Sequence, residues 1–532
     1  GVCLAGAVQD FLVLSASIRR NGKSLAQIAF HDIGPIAGVS AMIAILFILV
    51  IALAGLGKVV VKALGGEPAY HVPGSSWGTF TIAATIPIAL FIGLYMNRLR
   101  RGRVLEASIV GGLLTIGATV LGGWVAQRPI GHYFNLTAGQ VVWAMAVYGF
   151  IAAVLPVWVL LVPRDYLSSF LKIGTIVLLV GGVIVANPTL RAPAINSVFT
   201  SGGPVVKGKI FPFLFITIMC GAISGFHALV SSGTTPKMVK RESDARMIGY
   251  GAMLMEGLVG VVAMIAAATL PVGDYYAMNT EIAAMPAFHD QIIKIPGGGI
   301  EHVADYEVLT QESLRGRTGG AVTLAVGMAE VFDHSLGTLA GGARWLWKYW
   351  YHFAIMFEAL FILTTIDAGT RIGRFLLQEM LGKIHPKLGQ TNWWPSAYLS
   401  TAIIVGGWAY FINADSFAAI WAMFGVANQM LAVIALAVVS VYLVNEGRAK
   451  YLWVTVVPLA VVMTTTSTAA VQILIGKVDG IRTQIAKDVL TAAERALLMN
   501  SAITAALLVA MMACTVLIIA SAGVRIAGVR RP

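Results

Sequence analysis

Five hydroxyls and a histidine fall in one short stretch at 221–237, GAISGFHALVSSGTTPK: Ser224, His227, Ser231, Ser232, Thr234 and Thr235. The stretch closes an apolar run long enough to cross a bilayer. At 100° per residue, Ser224, Ser231 and Thr235 share a wedge of about 40°, with His227 about 60° to one side. Gly221 and Gly225 would let another helix or a ligand reach the backbone. Gly233 and Pro236 predict a helix that breaks around 233 and frees carbonyls near Ser231 and Ser232. A single serine or threonine in such a place most simply bonds back to its own helix. The cluster, with an imidazole beside it, reads instead as a substrate or proton site.

Carboxylates are the natural partners of such a site. Glu256, in GYGAMLMEGLVG, lies about eight residues into an apolar run, and Glu358, in HFAIMFEALFIL, is near the middle of another. A carboxylate at that depth is paired, protonated or functional, so both are candidates for proton coupling, with a structural salt bridge as the alternative. Asp10 stands beside Gln9 in AGAVQDF, and Asp165 follows Arg164 and Pro163 in VPRDYLSSFLK, where a helix should break or restart. Asn428 and Gln429, in FGVANQMLA, are midspan amides that either join helices or bind ligand. Asp367 has Arg371 four residues on, which predicts an i,i+4 ion pair. Glu330, Asp333 and His334 share one helical face, but no second motif completes a metal site, so a hydrated face is the expectation. No cofactor is implied beyond a coupling ion, a proton or sodium.

These residues must be positioned by membrane helices. The chain has 532 residues, 58% of them hydrophobic and 12% charged, which excludes an ordinary soluble enzyme. Its apolar residues come in blocks of about 20, the length that crosses ~30 Å of hydrocarbon. We read an all-α polytopic membrane protein with about 13 spans, near 1–18, 34–57, 77–97, 105–125, 139–163, 173–190, 210–230, 248–270, 347–369, 396–412, 418–445, 453–475 and 498–524. The block 319–342 is ambiguous. If it does not cross, 22 of the 37 basic residues share one side. They include Arg98, Arg100, Arg101 and Arg103, Arg164 and Lys172, Arg371 and Arg374, and Arg525, Arg530 and Arg531. The positive-inside rule then makes 319–342 re-entrant or superficial and the C-terminus cytoplasmic.

The resulting organisation is 1–270 and 347–532 as membrane helices around an extracytoplasmic segment at 271–346. The net charge of +12 has no basic, aromatic-interleaved patch to suit nucleic acid. Cationic loops facing anionic lipid account for it better. Cys3, Cys220 and Cys514 form no C-x-x-C pair, so neither a disulfide framework nor a zinc site is implied. The opening, GVCLAGAVQDF, lies within an apolar block, and part of the native N-terminus is expected to be absent. The nearest approach to a nucleotide-binding loop, SIRRNGKS, has Ser17 where the first glycine belongs, which argues against an ATP-driven machine.

The strings LAGAVQDF, PRDYLSSFLKIG, ISGFHALVSSGTTPK, GYGAMLMEGLVG, TTIDAGTRIGRF and FGVANQMLA together resemble the carbon starvation protein A (CstA) family of bacterial inner-membrane transporters. The resemblance runs from residue 4 to about 432. It implies import of peptides or of small carboxylates such as pyruvate under nutrient limitation. It also implies a LeuT-like core of inverted repeats with broken helices. Two rivals stay open on the residues alone. One is a nutrient sensor that binds without transporting. The other is an intramembrane hydrolase using Ser224 and His227, three residues apart on one helix. Nothing in the sequence sets an oligomeric state.

Overall fold

In hydrocarbon every backbone N–H and C=O must be satisfied within the segment, so apolar stretches of this length fold as helices. The computed structural model describes all residues but 101–102, 157–158, 341–343, 415–416, 488 and 530–532, and all side chains of those residues but 97, 161–162, 167, 170, 338–340, 418 and 529. Arg101, Arg530, Arg531, Gly341 and Gly342 thus lie outside the described residues.

The α-helices in chain order are α1 (Ala7–Arg19), α2 (Leu25–Asp32), α3 (Pro35–Leu64), α4 (Ser76–Leu94), α5 (Val104–Ala126), α6 (Ala138–Val154) and α7 (Leu161–Ala186). Then come α8 (Phe215–Ile218), α9 (Gly225–Gly233), α10 (Ala252–Ala268), α11 (Val272–Asn279), α12 (Met285–Ile293) and α13 (Val303–Thr310). The chain finishes with α14 (Ala321–Ala340), α15 (Trp347–Gly382), α16 (Trp394–Ala414), α17 (Phe417–Asn445), α18 (Trp453–Ile485) and α19 (Ala492–Val529). Among the described residues, 12 helical segments are long and apolar enough to span a membrane.

The thirteenth expected span, 139–163, is not one helix. α6 is 17 residues long, and Leu155 is extended (ψ 149°) because Pro156 follows it. The carbonyls this leaves are taken by Arg371, whose Nη2 donates to Ala152 O at 2.5 Å and to Leu155 O at 2.7 Å. That arrangement overturns the expected Asp367–Arg371 pair. Asp367 instead accepts from Arg164 Nη1 at 3.2 Å and from the Tyr148 hydroxyl. Arg164, Arg371 and Arg374, expected among loop charges, are all buried. The block 319–342 is helical over α14, one continuous helix that buries Val322, Ala325, Val326, Met328 and Ala329 and packs on α7. Glu330 accepts from Trp347 Nε1 at 2.9 Å, and His334 is exposed.

The chain folds as two compact units. The first comprises Gly1–Gly55, Gly208–Leu258 and Ile372–Pro532. α17 is its axis, buried almost throughout and packed by α1, α9, α18 and α19. The outward faces of α18 and α19 expose Val457, Val461, Ile475, Val516 and Leu517, an apolar surface suited to lipid. The second unit comprises Leu56–Lys207 and Val259–Arg371. There α4 packs on α5 and α7. Trp77 of α4 lies on two glycines of α5, Gly122 and Gly123, stacks 3.7 Å from His352, and donates to Thr119 O at 2.8 Å. Arg317 closes the end of α3 by donating to Ala63 O at 2.8 Å.

Candidate functional site

The stretch that drew attention in the sequence is an interrupted helix of the first unit. A π-turn (Ile210–Leu214) leads into α8 and a 3-10 turn (Met219–Gly221), and Ser224 is extended (φ −116°, ψ 126°) before α9 begins at Gly225. The expected break near 233 is present as the end of α9. The break at 221–224 was not read from the sequence. It removes the predicted stripe, because Ser224 is not on the helix that carries Ser231, and Thr235 lies on a 3-10 turn (Thr235–Lys237) beyond it.

A break at this depth leaves backbone groups that only neighbouring side chains can satisfy. Three amides do so. Gln9 Nε2 of α1 donates to Ser224 O at 2.7 Å, and Gln429 Nε2 of α17 donates to Ile223 O at 3.0 Å. Asn428 Oδ1 accepts from Phe226 N at 2.8 Å and from Ser224 Oγ at 3.2 Å, so a side chain of α17 serves as the N-cap of α9. Gly225 permits this closeness: a Cβ there would stand 2.1 Å from Asn428 O. These bonds fix which half of each amide faces the backbone. The other halves, Gln9 Oε1, Asn428 Nδ2 and Gln429 Oε1, are buried without a hydrogen-bond partner among the described residues. The break is therefore lined by one unsatisfied donor and two unsatisfied acceptors.

One turn into α9 stands His227. Its Nδ1 lies 3.0 Å from Asp10 Oδ2 and its Nε2 lies 3.2 Å from Glu256 Oε2. An imidazole bridging two carboxylates can donate from both nitrogens and pass a proton from one side to the other. The side chains grade in access: Asp10 is 7% exposed, His227 29% and Glu256 37%. Asp10 Oδ1 also accepts from Gln9 Nε2 at 3.2 Å, which joins the carboxylate chain to the break.

Of the residues singled out in the sequence, Gln9, Asp10, Ser224, His227, Glu256, Asn428 and Gln429 thus converge. The remaining hydroxyls follow the blander reading where they have bonds. Ser232 Oγ donates to Ala228 O at 2.7 Å and accepts from Leu25 N at 3.1 Å, tying α9 to α2. Ser231 is buried on α9, and the Thr234 hydroxyl is buried without a partner among the described residues. Asp165 and Glu358 belong to the second unit and are not part of this cluster. The main-chain oxygen of Asp165 accepts from the hydroxyls of Ser168 and Ser169. A serine–histidine nucleophile is not assembled either. Ser224 Oγ donates to Asn428, and both nitrogens of His227 face carboxylates.

Comparison with known proteins gives one family, described as Carbon starvation protein CstA, matching residues 1–469. A peptide transporter CstA of Escherichia coli (strain K12) is 47% identical over 490 residues, 89% of this chain and 68% of that protein. A pyruvate/proton symporter BtsT of the same strain is 44% identical over 493 residues, 86% of this chain and 67% of that protein. A peptide transporter CstA of Bacillus subtilis (strain 168) is 42% identical over 470 residues, 88% of this chain and 75% of that protein.

Proposed function

The chain belongs to the carbon starvation protein CstA family, and from that premise we propose that it imports short peptides across the bacterial inner membrane by proton symport. The observation that carries this reading is the pairing of two features at one helix break. A proton-bearing chain, Asp10–His227–Glu256, meets a backbone interruption lined by unsatisfied amide groups. A peptide brings a carboxylate or carbonyl that Asn428 Nδ2 can donate to, and an ammonium that Gln9 Oε1 and Gln429 Oε1 can accept from. Pyruvate, the substrate named for one relative, offers acceptors only. It would suit Asn428 while leaving the two glutamine oxygens unpaired beside two carboxylates. Protons enter through Glu256, the most open of the three groups, and reach buried Asp10 through His227.

We further place the C-terminus in the cytoplasm. The buried Arg164, Arg371 and Arg374 drop out of the charge count, but the remaining basic clusters on that side still exceed those opposite.

The test is uptake by proteoliposomes. Labelled dialanine should accumulate when an inward proton gradient is imposed and should outcompete pyruvate. Glu256→Gln keeps the shape but cannot change charge. It should retain counterflow of the dipeptide and lose gradient-driven accumulation. Binding without accumulation in the wild type would make the protein a sensor. Accumulation by Glu256→Gln equal to wild type, or accumulation driven by a sodium gradient alone, would remove the carboxylate relay.

A further inference from the structure

The first unit holds a groove of about 340 Å³ between α1, which supplies Val8, Phe11 and Leu12, and Leu443 of α17 with Val454 of α18. Its wall is apolar. Arg246 and Arg448 flank it and are exposed, so their methylene stems complete the wall while their guanidiniums stand at its rim. Tyr451, also on the groove, and Trp453 beside it are exposed, as aromatic side chains at a membrane–water interface are. Leu12 precedes Arg19 on α1 by seven residues. It therefore lies about 10 Å further along the helix axis. The groove thus runs from the level of lipid headgroups into the hydrocarbon.

Charge selects the occupant. The carboxylates nearest in sequence to the two arginines are already engaged. Glu242 accepts from Arg19 Nε at 2.5 Å, and Glu446 accepts from Arg20 Nη1 at 3.2 Å. Asp244 accepts from Ser243 Oγ at 3.4 Å. Arg246 and Arg448 have no ion-pair or side-chain hydrogen-bond partner among the described residues. Lys450 adds a third cation next to the groove, with Nζ 5.0 Å from the centroid of the Tyr451 ring. An apolar trough below two unpaired cations matches a molecule with a hydrocarbon chain and an anionic head.

We propose that this groove is a binding site for an anionic phospholipid. One acyl chain lies against Val8, Leu12, Leu443 and Val454, and the phosphate sits between the guanidiniums of Arg246 and Arg448. The site does not depend on the import reading, because its test reads binding alone.

The probes are phosphatidylglycerol, phosphatidylcholine with the same chains, and glycerol phosphate, which has the anionic head without the chains. Thermal unfolding of the purified full chain in a neutral detergent is the readout, since a ligand that binds only the folded state raises its stability. Phosphatidylglycerol should raise the unfolding temperature in a dose-dependent way. Phosphatidylcholine should do so far less, and glycerol phosphate not at all. Arg246→Gln combined with Arg448→Gln should weaken the apparent affinity for phosphatidylglycerol roughly tenfold or more. Lys240→Gln combined with Arg241→Gln removes the same charge from exposed positions that do not line the groove, and should leave that affinity near wild type. Val454→Trp keeps both arginines but fills the trough, and should reduce the shift. The proposal is overturned if phosphatidylcholine or glycerol phosphate matches phosphatidylglycerol, or if phosphatidylglycerol gives no shift. It is equally overturned if the Arg246 and Arg448 pair of changes has no greater effect than the Lys240 and Arg241 pair, or if Val454→Trp responds like wild type.

Discussion

Replacing Gly225 by alanine tests the geometry of the break with a single methyl group. A Cβ at 225 would lie 2.1 Å from Asn428 O, 2.5 Å from Ala432 N and 2.5 Å from Leu431 Cβ. Two of these are backbone atoms of the buried α17, so no side-chain rotation relieves the overlap. Restoring ordinary contact requires α9 and α17 to separate by about 1 Å, as judged from these same distances. Overpacking of this kind costs about 1–3 kcal/mol. A separation of that size also stretches the Phe226 N to Asn428 Oδ1 bond beyond useful length, from 2.8 Å. Losing that cap adds about 0.5–2 kcal/mol. The expected total is about 1.5–5 kcal/mol, large against the stability of a folded domain.

The control is Gly221→Ala, four residues away, where a Cβ would meet nothing within 4 Å. Both variants are assayed for thermal stability in detergent and for dipeptide counterflow in proteoliposomes. Gly225→Ala should lower the unfolding temperature clearly and reduce counterflow at least tenfold, about 1.4 kcal/mol in the rate-limiting equilibrium. Gly221→Ala should remain near wild type in both. If Gly225→Ala is stable and active while Gly221→Ala is damaged, the close approach of α9 to α17 is wrong, and with it the amide lining of the break.

Three further outcomes are expected. Asn428→Ala should lose about 1–2 kcal/mol of stability, because Phe226 N loses its acceptor, whereas Asn428→Asp should hold stability by placing a negative oxygen at the positive end of α9; the aspartate lacks the Nδ2 donor, so its KM for dipeptide should rise roughly tenfold, and equal KM values would show that Nδ2 does not touch substrate. Arg371→Ala should cost about 2–5 kcal/mol by orphaning the Ala152 and Leu155 carbonyls, visible as a lower unfolding temperature, and a neutral result would mean that water replaces the guanidinium. A cysteine in place of the exposed Trp345 should react with an impermeant thiol reagent added outside intact cells; reaction only after permeabilisation would place that segment in the cytoplasm and reverse the assignment of the C-terminus.

The helical architecture was legible because hydrophobic block length is a direct physical requirement of the bilayer. Its failures have local causes. The span at 139–163 looked continuous because the apolar run carries on through Leu155 and Pro156, and the residue that makes a stop tolerable there, Arg371, is over two hundred positions away. The break at 221–224 was hidden in the same way. Gly221 and Ala222 are compatible with helix, and only Gln9, Asn428 and Gln429 make an interruption affordable. The polar residues of the site were visible one by one, since a buried carboxylate or amide stands out against an apolar run. Their grouping was not. Asp10, His227 and Glu256 come from three separate helices, and no periodicity links them. The hydroxyl stripe misled because it assumed one unbroken helix. Asp367 was assigned to Arg371 because i,i+4 spacing is the only pairing a sequence displays, while Arg164 reaches it across the fold.

The arrangement explains how a proton could act on the substrate end of the site without a long pathway. Gln9 Nε2 is shared between Ser224 O at 2.7 Å and Asp10 Oδ1 at 3.2 Å. Asp10 Oδ2 in turn faces His227 Nδ1 at 3.0 Å. The Gln9 amide carries two N–H bonds, so it donates to the break and to Asp10 at once. On the proposed reading, a proton reaching Asp10 through Glu256 and His227 would remove the charge that holds the second N–H and leave the first on the break. Because adjacent residues of α1 carry the proton acceptor and the amide, charge at one position would act on the other within a single helical turn. Coupling on this reading depends on α1 keeping Gln9 and Asp10 side by side against the interrupted helix.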